Sequence, residues 1–430
     1  MQSSSRLFIS LFAIPAVFTP SDNKELDQVL EQIQYTIIFP ALLPTKQQKI
    51  IFDPSKREYM EENPVVIEVE NQEFRLRPLD RLKGIENANT LFVKALCKME
   101  TPKDWSNMAT LLAGYKKAHV VLRKSHWGQM VRRASSSGNM QAVIECIKQW
   151  NETVFMMASH EVACRLFAGN NERIYRDDAD LKKTRRVWAQ SEMLMDLLNR
   201  PEHSLKVKDP RDRLFNFRLI RGMHLYAMCS AINANKQAGE DIDKDMGILR
   251  DEVARIMSMW EANMLDRIEE LPELKLLNPS VERYGGLKFR GPKVTKALNG
   301  YMFVTVLAQN IRAMELAMEL VGDDARYLQQ VQDAIEKYMG EFTRTAIKAR
   351  PTWKDQYETI TGRRPNWPAW VGEAELIEAK KARIKAAAAA LKAAAEGTTV
   401  LKADEGKEST GETGEAHLED AADEGKKIEQ

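Results

Sequence analysis

From Asn87 to about Ile347 the apolar residues of this chain recur at helical spacing, and that pattern leaves little room for a large sheet. In "KDWSNMATLLAGYKKA", Trp105, Met108, Leu111, Leu112 and Tyr115 share one face. In "SHWGQMVRRASSSGNMQAVIECIKQW", Trp127, Met130, Val131 and Ala134 do the same, and after a Gly138-Asn139 turn so do Met140, Val143, Ile144, Ile147 and Trp150. Each helix has one face to bury and two helices cannot enclose a core, so neighbouring hairpins must stack on them. With 44% apolar and 29% charged residues and only 21 Gly and 16 Pro in 430 residues, composition also favours helix. Two later pairs suit antiparallel hairpins: "RLFNFRLIRGMHLYAMCSAINANKQAG" with "DMGILRDEVARIMSMWEANMLDRIEEL" across Gly239, and "VTKALNGYMFVTVLAQNIRAMELAMELVG" with "ARYLQQVQDAIEKYMGEFTRTAIKA" across "GDD".

The expected fold class is mainly α: a helical-hairpin, α-solenoid-like array with a small N-terminal β-hairpin region and a disordered C-terminal tail. Residues 1–21 form a candidate targeting segment. They are Ser-rich, contain Arg6 and have no acid before Asp22, which fits a mitochondrial presequence, while the apolar run Leu7 to Phe18 equally resembles a secretory signal and is too short to span a bilayer. Residues 22–85 read as an α+β lead-in, with a helix stopped by Pro40 and Pro44 and then a hairpin, "PVVIEVENQEFRLRP", turning at Asn71 and Gln72. The repeat-like body spans 86–348, a Pro/Trp loop with an Ala-rich charged helix spans 349–396, and the acidic tail 397–430 has too little apolar surface to offset its ordering entropy.

The dipeptide Ser125-His126 recurs at Ser159-His160, 34 residues on, and each copy starts a predicted helix. That is the period of tetratricopeptide arrays and close to that of their pentatricopeptide relatives. "QMVRRASSSGNMQAVIECIKQ" resembles a divergent pentatricopeptide unit, with a Gly-containing turn and a second helix carrying Ala142, Ile144 and Ile147, and "NMATLLAGYKKA" resembles the first helix of another. The resemblance covers roughly residues 87 to 200. It implies a stacked helical surface that holds RNA, but the usual proline near the end of a unit is missing and "NNERIYRDDADLKK" interrupts the pattern, so no base-reading residues carry over.

Signatures of catalysis are absent: the sequence has no GxxxxGK[ST], GxGxxG after a strand, HExxH or GxSxG. Its four cysteines form no CxxC pair and read as buried thiols in a reducing compartment. No cofactor or metal is expected, and the chain reads as a non-enzyme. The net charge of +1 conceals a tail with 4 Lys against 10 Asp and Glu, so the rest of the chain carries a mild basic excess. Three stretches concentrate it and are candidate RNA- or partner-binding sites. The first holds Lys116, Lys117, Arg123, Lys124, Arg132 and Arg133, with His126 and Trp127 among them; cations neutralise phosphate and an exposed aromatic stacks on a base, although Trp127 also fits a core position. The second places Lys288, Arg290 and Lys293 in a Gly/Pro-rich loop before a helix, suited to phosphate at a helix N-terminus. The third, "GRRPNWPAW", offers Arg363, Arg364 and Trp367 as either a docking loop or a plug on the last helices. The combined reading is a mitochondrial helical-repeat protein that binds RNA or a ribonucleoprotein in organellar RNA metabolism or translation. The alternative is a protein-binding scaffold or assembly factor for a mitochondrial complex.

Overall fold

The computed structural model describes residues 14–80, 85–176, 181–203, 213–279, 298–346 and 351–369, together with Glu378, Ala382 and Lys385. Contacts gather residues up to Val371 into one unit and those from Gly372 into a second. In the second unit the three described residues are helical and exposed, at positions of the predicted Ala-rich helix.

Helix α1 (Lys24–Ile33) starts where the Asn23 carboxamide accepts the N–H groups of Glu25 and Leu26. It runs on through a π-helical turn (Gln34–Ile38) into α2 (Phe39–Leu42), so Pro40 does not stop the helix. The widened turn, in which the Phe39 N–H reaches the Gln34 carbonyl, absorbs the donor that Pro40 lacks, and the helix ends ahead of Pro44. Two short helices, α3 (Thr45–Phe52) and α4 (Arg57–Glu62), then lead into the antiparallel pair β1 (Val66–Val69) and β2 (Gln72–Arg75). Val69 faces Gln72 across the tight end, so the turn residues are Glu70 and Asn71, both at positive φ, one position earlier than the sequence pattern indicates. Phe39, Leu43, Ile51, Met60, Val69 and Leu76 make a small core of their own here.

Leu26, Leu30, Ile33 and Ile38 instead join the main core. The stretch from Ile14 to Ser21, read as part of a targeting segment, also packs on the protein: Val17 meets the small core, Phe18 the main one, and Thr19 exchanges two 2.8 Å hydrogen bonds with the Asn107 carboxamide.

The body begins with α5 (Ala88–Lys98), α6 (Pro102–Ser106) and α7 (Met108–Lys117). It continues with α8 (Lys124–Ser136), α9 (Met140–Lys148), the single turn α10 (Trp150–Thr153), α11 (His160–Arg176) and α12 (Leu181–Asn199). Gly138 at φ +71 turns α8 back onto α9. Packing follows two rows: α5 meets α8 and α8 meets α11, while α7 meets α9 and α9 meets α12. The segment read as a first helix, α7, therefore lies in the row of second helices. Residues 34 apart touch along the first row: the Phe92 and His126 rings lie 5.9 Å apart, and Ser135 Oγ donates to the Gly169 carbonyl at 2.7 Å.

Beyond α12 come α13 (Arg218–Gln237), α14 (Asp243–Met259), α15 (Ala262–Leu265), α16 (Pro272–Leu277), α17 (Gly300–Val321), α18 (Tyr327–Thr345) and α19 (Pro351–Thr361). The expected hairpins form, α13 on α14 and α17 on α18. Two features depart from the pattern: the second helix of the first hairpin breaks at Trp260, which is buried, and α19 adds a helix where a loop was expected. Helix α17 occupies the centre, against α11, α13, α14, α18 and α19.

Close approach at that centre depends on missing side chains. A Cβ at Gly222 would lie 1.8 Å from Asn310 Oδ1, and one at Gly300 would lie 1.9 Å from the Trp353 ring. Gly222→Ala should cost about 1–3 kcal/mol through overpacking. Gly247→Ala, mid-helix in α14 with nothing near the added methyl, should instead stabilise by about 0.5–1 kcal/mol. Urea denaturation of the two variants checks the contrast.

Candidate functional site

The first basic stretch surrounds the loop between α7 and α8. Lys116 Nζ donates to the Asn151 carbonyl and lies 3.8 Å from Glu152, placing a cation over the last turn of α10. Lys117 is exposed and makes no ion pair among the described residues. Arg123, also exposed, precedes α8, and its main-chain N–H donates to His126 Nδ1 at 3.1 Å. Burial, helped by the Arg123 charge, lowers the His126 pKa, which keeps the ring neutral and able to accept that bond. Lys124 is the first residue of α8; its side chain lies outside the described set.

Arg132 and Arg133, both exposed, diverge because successive positions on a helix do not face the same way. Arg133 reaches Cys97 Sγ on α5 at 3.4 Å, while the Arg132 charge is felt by Arg165 on α11. Nine residues of helix separate Arg123 from Arg132, roughly 13 Å of rise, so the cations form a line along α8 rather than one cluster. Trp127 sits within this line half-buried, its ring stacked on Phe155 at 4.7 Å and 10°. That stacking occupies one face of the indole.

Lys288, Arg290 and Lys293 lie outside the described residues, as does Lys296. In the third stretch two of the three candidates, Arg363 and Trp367, contact the last helices. Trp367 is 9% exposed and packs edge-on against Tyr357, with centroids 5.0 Å apart. Arg363 lies 2.9 Å from Glu315, pairs also with Glu336, and sits 5.6 Å from the Tyr357 ring centroid. Arg364, at 3.2 Å from Glu358 and 82% exposed, is the one that faces solvent. Arg363→Ala removes a cation shared by Glu315, which keeps Arg312, and Glu336, which keeps the Tyr357 hydroxyl, and should cost about 1 kcal/mol, whereas Arg364→Ala should change stability by less than about 0.5 kcal/mol; thermal melts of both variants check this.

A second set of polar groups was read from sequence only as helix. Arg218, Arg221 and His224 are spaced three apart on α13 and turn inward. Arg221 Nη1 lies 2.8 and 2.9 Å from the two oxygens of Glu252, with its guanidinium 4.2 Å from the centroid of the Phe215 ring. Arg218 donates to the Met259 carbonyl at 2.6 Å and pairs with Glu273 at 3.1 Å. Burial pushes the Glu273 carboxyl up to about 7 in spite of that partner. His224 Nδ1 is 2.9 Å from Ser191 Oγ and its Nε2 is 3.4 Å from Glu192; burial, with Arg221 and Arg255 adding to it, pulls its pKa down to about 3. The "RLIRGMH" spacing was the available signal, and it marks an interhelical tie rather than a reactive centre. The basic run "LKKTRR" opening α12 was also passed over; there Arg185 pairs with Glu240 and Asn235, while Arg186 is exposed.

Because folded His224 stays neutral down to about pH 3, the unfolded chain binds the extra proton between there and 6.5, and stability falls as pH drops through that window. The wild type should lose up to about 1.4 kcal/mol per pH unit more than His224→Asn over that range, read from pH-dependent urea midpoints.

Among the described residues no three His, Cys, Asp or Glu side chains gather as metal ligands, and no helix is long and apolar enough to cross a membrane. Cys97 is exposed, while Cys146, Cys164 and Cys229 are buried; burial pushes the Cys146 thiol up to about 12. The fold and its polar groups together define a helical-hairpin protein whose buried charges join helices and whose free cations lie on the outside of the helix stack. The chain belongs to the family of mitochondrial ribosomal protein mS27, whose model matches residues 2–363. It is also 24% identical over 201 residues to the small ribosomal subunit protein mS27 of Neurospora crassa, a match covering 46% of this chain and 51% of that one. The chain thus spans about half the length of the curated relative it matches. Family membership places it in mitochondria, the organelle expected from sequence.

Proposed function

We propose that this chain is a structural, non-enzymatic component of the mitochondrial small ribosomal subunit, serving translation by holding ribonucleoprotein on the surface of its stacked helices. The observation that carries the reading is the family match across residues 2–363. Chemistry supports it. The exposed cations Lys117, Arg123, Arg132 and Arg133 have no carboxylate at ion-pair distance among the described residues, so the cost of desolvating them is offset by phosphate rather than by this protein. Lys116 and Lys124 would extend that line, and Lys288, Arg290 and Lys293 remain candidates on sequence grounds.

The finer reading is a short pentatricopeptide-like array within α5 to α12. The two rows of helices support it, as do the contacts Phe92 to His126 and Ser135 to Gly169, each 34 residues apart. With Trp127 stacked on Phe155 and His126 capping α8, recognition rests on phosphate and shape rather than on base edges.

Replacing Lys117, Arg132 and Arg133 together by Ala removes up to three phosphate contacts and should reduce the slope of log affinity against log salt by about 0.7–0.9 per contact. In sucrose gradients of mitochondrial extract, the variant should leave the small-subunit peak at lower salt than wild type. Release of both at the same salt would overturn the assignment of these residues.

A further inference from the structure

The loops that join successive hairpins share a conformation. His119 and Val154, 35 residues apart, both sit at positive φ, 54° and 60°. Exposure alternates along the chain after each. Val121 projects to solvent at 82% exposure while Val120 and Leu122 turn in, and Met156 projects at 38% while Phe155 and Met157 are buried. The two loops lie side by side, since Lys116 at the end of α7 bonds to Asn151 and Trp127 of α8 stacks on Phe155. A β-branched residue rarely takes positive φ, and at Val154 that conformation leaves the side chain itself 47% exposed.

We infer that this edge docks an extended segment of another polypeptide, one that alternates apolar and acidic side chains. Three observations fix that chemistry. Val121, Val154 and Met156 are three of the seven large apolar residues exposed among the described residues, gathered on two adjoining loops. The peptide N–H groups of Val121, Leu122, Met156 and Ala158 have no hydrogen-bond partner among the described residues, so an added segment would find main-chain donors there. Lys117 and Arg123 flank the apolar positions, and the one acid beside them, Glu152, is already answered by Lys116. RNA fits this edge less well, because bases stack on aromatic faces and those here, Phe155 and Trp127, face each other. The inference needs a protein neighbour that shares Lys117 and Arg123 with the proposed phosphate line, and it is independent of the RNA contacts proposed at Arg132 and Arg133.

The test uses the full chain expressed in its own mitochondria, with the photo-crosslinking side chain of p-benzoylphenylalanine at position 121 or 156, and at 248 as an exposed control on α14. After irradiation the adducts are mapped by mass spectrometry. Positions 121 and 156 should both mark one stretch of about ten residues in a single polypeptide, containing Asp or Glu, that position 248 does not mark. Val121→Asp should lower the adduct yield from position 156 about tenfold while leaving the thermal melt unchanged, as expected of a residue with no internal packing role. Adducts with RNA, adducts scattered over unrelated proteins, absence of adducts, or a yield insensitive to Val121→Asp would each overturn the inference.

Discussion

The whole arrangement depends on how α17 is held. From Phe303 to Ala317 nearly every residue of this helix is buried, so it has no polar face to turn to water, and its own polar residues must find partners inside. Gln309 Nε2 donates to the Ala168 carbonyl at 3.1 Å, and its oxygen accepts from Asn171, which also reaches the Met223 carbonyl at 2.8 Å. On the next residue, Asn310 donates to the Leu219 carbonyl at 3.1 Å. These bonds join α11, α13 and α17 across sequence separations of up to 141 residues and fix the register of the central helix. Each is worth about 1 kcal/mol net when made, and losing a partner costs more because the stranded amide stays buried.

That register links the two halves of the protein. Helix α11 closes the N-terminal rows of hairpins, and α17 carries α18, α19 and the Trp367 plug on its other side. Charges used inside this junction, Arg218, Arg221 and Arg363, are paired with Glu273, Glu252, Glu315 and Glu336. Among the described residues, exposed cations line α7 and α8 beside the apolar edge. On the proposed function, an internally paired body with exposed cations on α7 and α8 would bind a polyanion without giving up its fold.

Periodicity made the helices legible, because a 3.6-residue pattern in Trp, Met and Leu survives any tertiary context, and both late hairpins formed where Gly239 and the "GDD" turn placed them. The β-hairpin was legible too, but not its register: Glu70 at positive φ is a position that propensity does not advertise. Pro40 misled for a physical reason, since a π-helical turn supplies the slack that a missing N–H requires. The candidate site was half visible. Cations on α7 and α8 are exposed, yet sequence cannot tell Arg364, in solvent, from its neighbour Arg363, pinned between two carboxylates that lie 48 and 27 residues away. Nor could it separate Trp367 as plug from Trp367 as docking aromatic, because both readings ask for the same residue.

The most direct measurement is a density map of the mitochondrial small ribosomal subunit purified with this chain tagged. The account predicts the helix rows of α5 to α12 seated on the particle with ribosomal RNA phosphates within hydrogen-bond or ion-pair reach of the cations on α7 and α8. A particle that lacks the chain, or one in which those cations face solvent while another surface meets the RNA, would contradict it.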